Sequence, residues 1–159
     1  LCSFILKGKI SDVNKDIEIL CNIKDPYEIL DKKTNNGQHL YKKYEKINKE
    51  YQALLNDAIK NVTKDKLFVY TYTASKISLT GDLSNELLYR FPKKIILIAR
   101  EKDEFMRISL RSSKLLLPPI LEKALKYVEG YGGGHENACG GNVAKKDFNK
   151  FVDNFRKLI

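Results

Sequence analysis

The five residues Ile95-Ile96-Leu97-Ile98-Ala99 carry no polar side chain. A strand of that composition has no face to offer water and must be covered on both sides. That requirement points to a layered α/β fold, a sheet with helices packed on it. The neighbouring segments agree. Leu67-Phe68-Val69-Tyr70-Thr71-Tyr72 is rich in β-branched and aromatic residues, which suit a pleated, half-buried surface. Phe105 to Arg111 alternates, sending Met106, Ile108 and Leu110 to one face and Arg107, Ser109 and Arg111 to the other.

Helices separate these strands. Thr80-Gly81-Asp82 is expected to cap a helix that runs through Leu83, Leu87 and Leu88 and stops before Phe91-Pro92. Pro118-Pro119 opens another, expected to bury Ile120, Leu121, Ala124, Leu125 and Val128 and to end at Gly130. Asn142-Val143-Ala144 reads as a short edge strand. Phe148, Phe151, Val152, Phe155 and Leu158 recur at helical spacing, so the last helix should clamp one side of the sheet. No internal repeat or low-complexity tract interrupts the pattern.

Upstream the period is helical throughout. Leu40, Tyr44, Ile47, Tyr51, Leu54 and Ala58 form a narrow seam on a helix over about Gln38 to Val62, opposite Lys42, Lys43, Lys46, Lys49 and Glu50. Such a helix suits a solvated connector between two domains, with a partner-binding helix as the alternative. Before it, Val13, Ile17, Leu20 and Cys21 repeat at helical spacing. Asp25-Pro26 supplies an N-cap and first helical residue, and Thr34-Asn35-Asn36-Gly37 reads as a turn or loop. Two short helices with narrow apolar arcs make no core alone, so residues 1–36 are expected to lean on another part of a longer chain. The expected division is 1–36 helical tail, 37–64 connecting helix and 65–159 sheet domain. The fold class is α/β: a small mixed β-sheet flanked by helices, preceded by a long connecting helix and short helices.

Composition narrows the partners. No apolar run approaches the ~18 residues of a membrane span, and the opening residues, Leu1 to Leu6, lack the basic start of a secretory signal. The chain begins with Leu1 rather than Met, which fits an excised piece of a longer protein. Cys2, Cys21 and Cys139 are odd in number and form no C-x-x-C pair, as expected in a reducing cytoplasm. A net charge of +9 favours a polyanionic partner such as nucleic acid, although a lysine-rich surface alone gives the same surplus.

The residues with chemical potential gather near Gly132-Gly133-Gly134-His135-Glu136-Asn137-Ala138-Cys139-Gly140-Gly141. Consecutive glycines let another molecule lie against bare backbone. A glycine turn leading into a short helical turn over His135 to Cys139 would present free N–H groups to an anion. Spacing alone leaves this open against a flexible linker or a glycine C-cap. His135 reads foremost as a phosphate donor, with structural, metal-binding and acid–base roles behind it. Cys139, four residues on, would share a helical face with His135. A thiolate nucleophile there competes with simple close packing of Ala138-Cys139-Gly140, and packing is favoured. Arg111 can grip a phosphate through two parallel hydrogen bonds; Arg107 reads more readily as a solvated surface residue. Tyr131 offers a ring for base stacking, whereas Tyr70 and Tyr72 read as core or rim.

Gly132-Gly133-Gly134-His135, with Ala138 and Gly140 following, resembles the GGGH motif of the DHH-associated domain. That domain is the substrate-binding half of DHH-superfamily phosphoesterases such as RecJ-type single-strand exonucleases and cyclic-dinucleotide phosphodiesterases. Ile108-Ser109-Leu110-Arg111-Ser112-Ser113 is similar to the family's S-x-R-S strand motif, and Thr80-Gly81-Asp82-Leu83-Ser84 to its helix start. The resemblance runs from Leu67 to Ile159, and the layout looks most like the archaeal-type RecJ branch. Cys139 stands where the family usually has Ala. The resemblance implies that Gly132, Gly133, Gly134, His135, Arg111 and Ser112 bind substrate phosphates. It also implies that two divalent metals, manganese or magnesium, belong to a separate catalytic domain, which serves as a partner alongside single-stranded DNA or RNA and replication proteins. Such a centre clamps the attacking and leaving oxygens. This sequence has no Asp-His-His and only two histidines, so catalytic residues are not expected within it. A non-catalytic nucleic-acid or replication-factor binding module, and an alanyl-tRNA-synthetase-like C-terminal module that binds tRNA or dimerises, remain alternatives.

Overall fold

The structure is a computed structural model that describes residues 1–73 and 77–159. Its coordinates divide into two compact units, Leu1–Ala53 and Leu54–Ile159. Helix α4 (Asn35–Lys60) supplies residues to both.

In the first unit, short helices α1 (Cys2–Ile5) and α3 (Tyr27–Leu30) and the longer α2 (Ile10–Cys21) precede α4. A reciprocal cap starts α3. The Asp25 carboxylate accepts from the Tyr27 N–H at 2.9 Å, and the Glu28 carboxylate accepts from the Asp25 N–H at 3.2 Å. Thr34 to Gly37 is not a free turn. The Thr34 hydroxyl accepts from the Gly37 N–H at 3.1 Å and so caps α4, whose first turn includes Asn35 and Asn36. The residues before α4 pack against it. Ile5, Ile29 and Leu40 pack together, and Phe4 lies 5.0 Å from the Tyr51 ring. In the first unit the seam of α4 is buried at Leu40, Ile47 and Tyr51 and half-buried at Tyr44; in the second, Ala58 is buried, and Leu55 is the buried leucine where Leu54 was expected. Helix α2 does not bury the face expected of it: Ile17 and Cys21 are exposed, and the buried residue is Asp16.

The second unit is a five-stranded mixed sheet in the order β1-β2-β3-β5-β4. The strands are β1 (Leu67–Thr73), β2 (Ile95–Lys102), β3 (Phe105–Arg111), β4 (Gly130–His135) and β5 (Ala138–Ala144). Strands β1 and β2 are parallel; every other pairing is antiparallel. As its composition demands, β2 is buried on both faces from Ile95 to Arg100.

Helices α6 (Leu117–Ala124) and α7 (Phe148–Arg156) cover one face through a core that includes Leu97, Leu110, Leu121, Val143, Phe151 and Phe155. Truncating either buried phenylalanine to Ala costs about 3–5 kcal/mol. Helix α5 (Thr80–Arg90) packs on β2 and β3 from the other face. Among the described residues the N-cap of α5, Leu79, makes no side-chain capping bond, where Thr80-Gly81-Asp82 was expected to cap it. Instead the Tyr72 hydroxyl, reaching up from β1, accepts from the Leu79 N–H at 3.2 Å and lies 3.0 Å from the Thr80 hydroxyl. Helix α6 ends at Ala124, short of Gly130, where the chain turns through Tyr127 at φ +62°. Among the described residues no helix is long and apolar enough to cross a membrane.

Candidate functional site

The glycine-rich stretch is a β-hairpin. Residues 130–135 form edge strand β4, Glu136 and Asn137 make the turn, and β5 returns between β4 and β3. Two expectations therefore change. His135 to Cys139 is no helical turn, and Asn142-Val143-Ala144 belongs to an interior strand rather than an edge. Glycine carries no side-chain periodicity, and residues that look like a flexible loop adopt a strand once a neighbour supplies hydrogen bonds. The tip is tied down: the Ser112 N–H donates to the Asn137 carbonyl at 3.1 Å, and the Leu117 N–H to the Glu136 carbonyl at 2.7 Å. Gly134 takes φ +153°, and a Cβ there would stand 2.3 Å from the Ala138 carbonyl oxygen, so only glycine fits.

Strand register sorts the candidates by face. Cross-strand partners share a face and successive residues alternate. Arg111, Ala138 and His135 form one row across β3, β5 and β4 on the α5 side of the sheet. Ser109, Gly140 and Gly133 form the next, and Arg107, Asn142 and Tyr131 the third. The alternating positions Gly132 and Gly134 turn to the opposite face. The structure thus brings Gly133, His135, Arg111 and Tyr131 together and sets Gly132 and Gly134 apart from them.

The glycines differ in what surrounds them. A Cβ on Gly132 would meet the Gly140 carbonyl at 2.9 Å and the Leu121 side chain at 3.0 Å; one on Gly141 would lie 2.4 Å from the Tyr131 carbonyl. Packing within the chain accounts for both. Among the described residues, a Cβ on Gly133 would meet nothing within 4 Å, and one on Gly140 only the Ile108 carbonyl at 3.5 Å. These two are exposed, lie side by side, and leave an open floor between the Arg111–His135 row and the Arg107–Tyr131 row.

Arg111 is held in place before any ligand arrives. Its Nε donates to the Asn85 Oδ1 of α5 at 2.7 Å, and its Nη1 to the carbonyls of Leu110 at 2.9 Å and Cys139 at 3.3 Å. None of its hydrogen bonds among the described residues uses Nη2. Burial lowers its pKa from the ordinary value, opposed by the neighbouring Cys139, yet a guanidinium stays charged at neutral pH. Asn85 was not legible as a site residue, since an asparagine on a helix surface carries no signal of what it faces across space. Ser109 is buried, its hydroxyl 2.9 Å from that of Ser84, which fastens α5 to β3.

Ser112 is also buried, and its Oγ accepts from the Lys114 and Leu115 N–H groups, at 3.2 and 3.0 Å, forming the turn that follows β3. His135 is exposed on the open face. Cys139 lies on the other face, buried among core residues, and burial pushes its thiol pKa up, opposed by Arg111. It is a packed core residue rather than a nucleophile. Tyr70 and Tyr72 are buried too, and the Tyr70 hydroxyl donates to the Asp57 carboxylate at 2.8 Å. Among the described residues no group of three or more His, Cys, Asp and Glu side chains is placed to hold a metal.

The DHHA1 domain family matches residues 64–159. The chain belongs to that family. Residues 64–159 form its DHHA1 domain, and solved structures share the fold. RecJ from Thermus thermophilus in complex with Mg2+ aligns with a TM-score of 0.65 at 15% identity, covering 94% of this chain and 23% of that one. A pGpG-specific phosphodiesterase, PggH from Vibrio cholerae, aligns at 0.58 and 15%, covering 94% and 51%. The C-Ala domain of Aquifex aeolicus alanyl-tRNA synthetase aligns at 0.52 and 20%, covering 61% and 93%. The chain thus spans less than a quarter of that RecJ. No curated protein matches it by sequence.

Proposed function

We propose that this DHHA1 domain holds the phosphates of single-stranded nucleic acid, DNA or RNA, as the substrate-binding part of a RecJ-like metal-dependent phosphodiesterase. The observation that carries the reading is the pair Gly133 and Gly140. Among the described residues nothing crowds either position, yet both lack side chains, and they lie between the rows of Arg111 with His135 and Arg107 with Tyr131. A bare floor lets a phosphate approach the sheet. Arg111, braced by Asn85, offers Nη2, and His135 offers a ring N–H from the other end of its row, about 10 Å away across two strand spacings. The outer edge of β4, unpaired within this sheet, adds outward N–H groups.

The GGGH residues thereby act in a different way from a loop of amides. Gly133 forms the floor, Gly132 and Gly134 shape the hairpin, and Ser112 positions the strand end. The net charge of +9 supports a polyanionic ligand. Similarity in fold to RecJ and to a pGpG-specific phosphodiesterase supports a phosphodiester substrate. Cleavage, with its manganese or magnesium ions, belongs to a separate catalytic domain, and replication proteins are further candidate partners. Three free cysteines fit a cytoplasmic setting.

The test is fluorescence anisotropy with a labelled 5′-phosphorylated oligothymidine. Affinity should fall with salt at a slope of roughly −0.7 per phosphate neutralised. Arg111→Ala should weaken binding roughly 10- to 100-fold, the scale of a hydrogen bond to a charged group. Normal binding by a folded Arg111→Ala protein overturns the assignment.

A further inference from the structure

The third row of the open face carries chemistry that a phosphate grip does not require. Tyr131 is 68% exposed, yet its hydroxyl is fixed by a 2.6 Å hydrogen bond from the Asn142 amide. An exposed aromatic ring tethered at its polar end is a ready stacking platform, because little rotamer freedom remains to be lost when a ligand arrives. Phe105 is also exposed, at 36%, and lies one row beyond on β3, on the same face. Between the two rings the surface dips into a recess of about 140 Å³ lined by Lys102, Asp103, Phe105, Arg107, Tyr131 and Asn142. Two cations against one carboxylate leave the rim net positive. Asn142, its carbonyl oxygen uncommitted by the bond to Tyr131, offers an acceptor to the edge of a planar ring.

We infer that this recess holds a nucleobase of the strand whose phosphate is gripped by Arg111 and His135. The inference rests on the phosphate reading given above and adds to it. The Arg111 row and the Arg107 row lie four residues apart along β3, about 13 Å at strand rise. One nucleotide does not bridge that gap; a stacked strand rises ~3.4 Å per nucleotide along its axis, so the span takes several stacked units or fewer extended ones. The substrate class is therefore an oligonucleotide rather than a mononucleotide or inorganic phosphate. It crosses the Gly140–Gly133 floor with its backbone against bare sheet and a downstream base between Tyr131 and Phe105. Stacking on aromatic rings tolerates any base, so the recess selects for the presence of a base rather than its identity.

The experiment compares a 5′-phosphorylated thymidine tetramer with a tetramer of equal length and charge whose bases are replaced by tetrahydrofuran. The wild-type chain should bind the base-bearing tetramer more tightly. Tyr131→Ala and Phe105→Ala should each weaken that binding roughly 5- to 100-fold while leaving the abasic tetramer unaffected. Circular dichroism checks that both variants fold. Equal wild-type affinity for the two tetramers, or equal loss on both in the variants, overturns the recess. Arg111→Ala separates the two ideas, since it should weaken both tetramers alike. If it weakens neither while Tyr131→Ala acts only on the base-bearing one, the phosphate grip is wrong and the base recess stands. Absence of binding to either tetramer at low salt overturns both.

Discussion

Arg111 on β3 and Asn85 on α5 are joined by a 2.7 Å hydrogen bond from Nε to Oδ1, across the face on which the candidate site lies. The bond uses Nε, and none of the hydrogen bonds of Arg111 among the described residues uses Nη2. Asn85→Ala should therefore keep the fold, since residue 85 is exposed, and release Arg111 into several rotamers. Binding of a phosphorylated oligonucleotide should weaken roughly 3- to 10-fold, less than on losing Arg111 itself. An anisotropy titration of both variants checks the order, and an Asn85→Ala protein as impaired as Arg111→Ala would mean that Asn85 meets the ligand directly.

The glycines offer a sharper contrast. Gly133→Val faces open space and should retain the wild-type melting temperature while losing oligonucleotide binding. Gly132→Val meets the Gly140 carbonyl and Leu121, and it should destabilise the domain by about 1–3 kcal/mol, the usual scale of overpacking. Thermal melts beside binding titrations separate the two. A destabilised Gly133 variant would remove the argument that its bareness serves a ligand.

In the first unit, Asp16 of α2 is buried and meets two residues one turn apart on α4. His39 Nε2 lies 3.0 Å from its Oδ1, and Lys43 bonds Oδ2. Burial alone raises the carboxyl pKa, but the bonds and charges of Lys43 and His39 outweigh it and leave the pKa below its ordinary value. A depressed carboxylate adds stability above its unfolded pKa of about 3.9, and that stability is lost as pH falls through the folded value. Stability of the first unit should accordingly hold down to about pH 4 and decline below it. Asp16→Asn should lower stability by about 1–3 kcal/mol at neutral pH and flatten the acid decline. Urea melts at several pH values measure both effects; an unchanged acid profile would deny Asp16 its role.

Thiol reactivity reports the hairpin directly. Cys2 and Cys21 are exposed, whereas Cys139 is buried with its pKa pushed up by desolvation. Iodoacetamide should modify the first two readily and the third only on unfolding. Mass spectrometry of the labelled native chain counts them. Rapid labelling of Cys139 would contradict its place in the core.

Much of this architecture was written in local pattern. The apolar run at Ile95, the alternation over Phe105 to Arg111 and the aromatic spacing of α7 each depend on residues near one another in the chain, and each appears as read. The same alternation put Arg111 and Arg107 on one face. The seam on α4 was visible as well, although what buries it was not. A periodic stripe announces a buried side but not its partner, and α1 to α3 turned out to supply one.

The amino-acid sequence alone determined the layered α/β class and the three strands with side-chain periodicity. Tertiary structure alone decided that Gly130 to His135 is an edge strand, that His135 and Cys139 lie on opposite faces, and that Asn85 braces Arg111. The reason is physical: a glycine run has no side-chain pattern of its own and takes its conformation from the strand it pairs with. Contacts such as Asp16 with His39, or Arg111 with Asn85, join residues more than twenty positions apart, and only the folded chain brings them within reach.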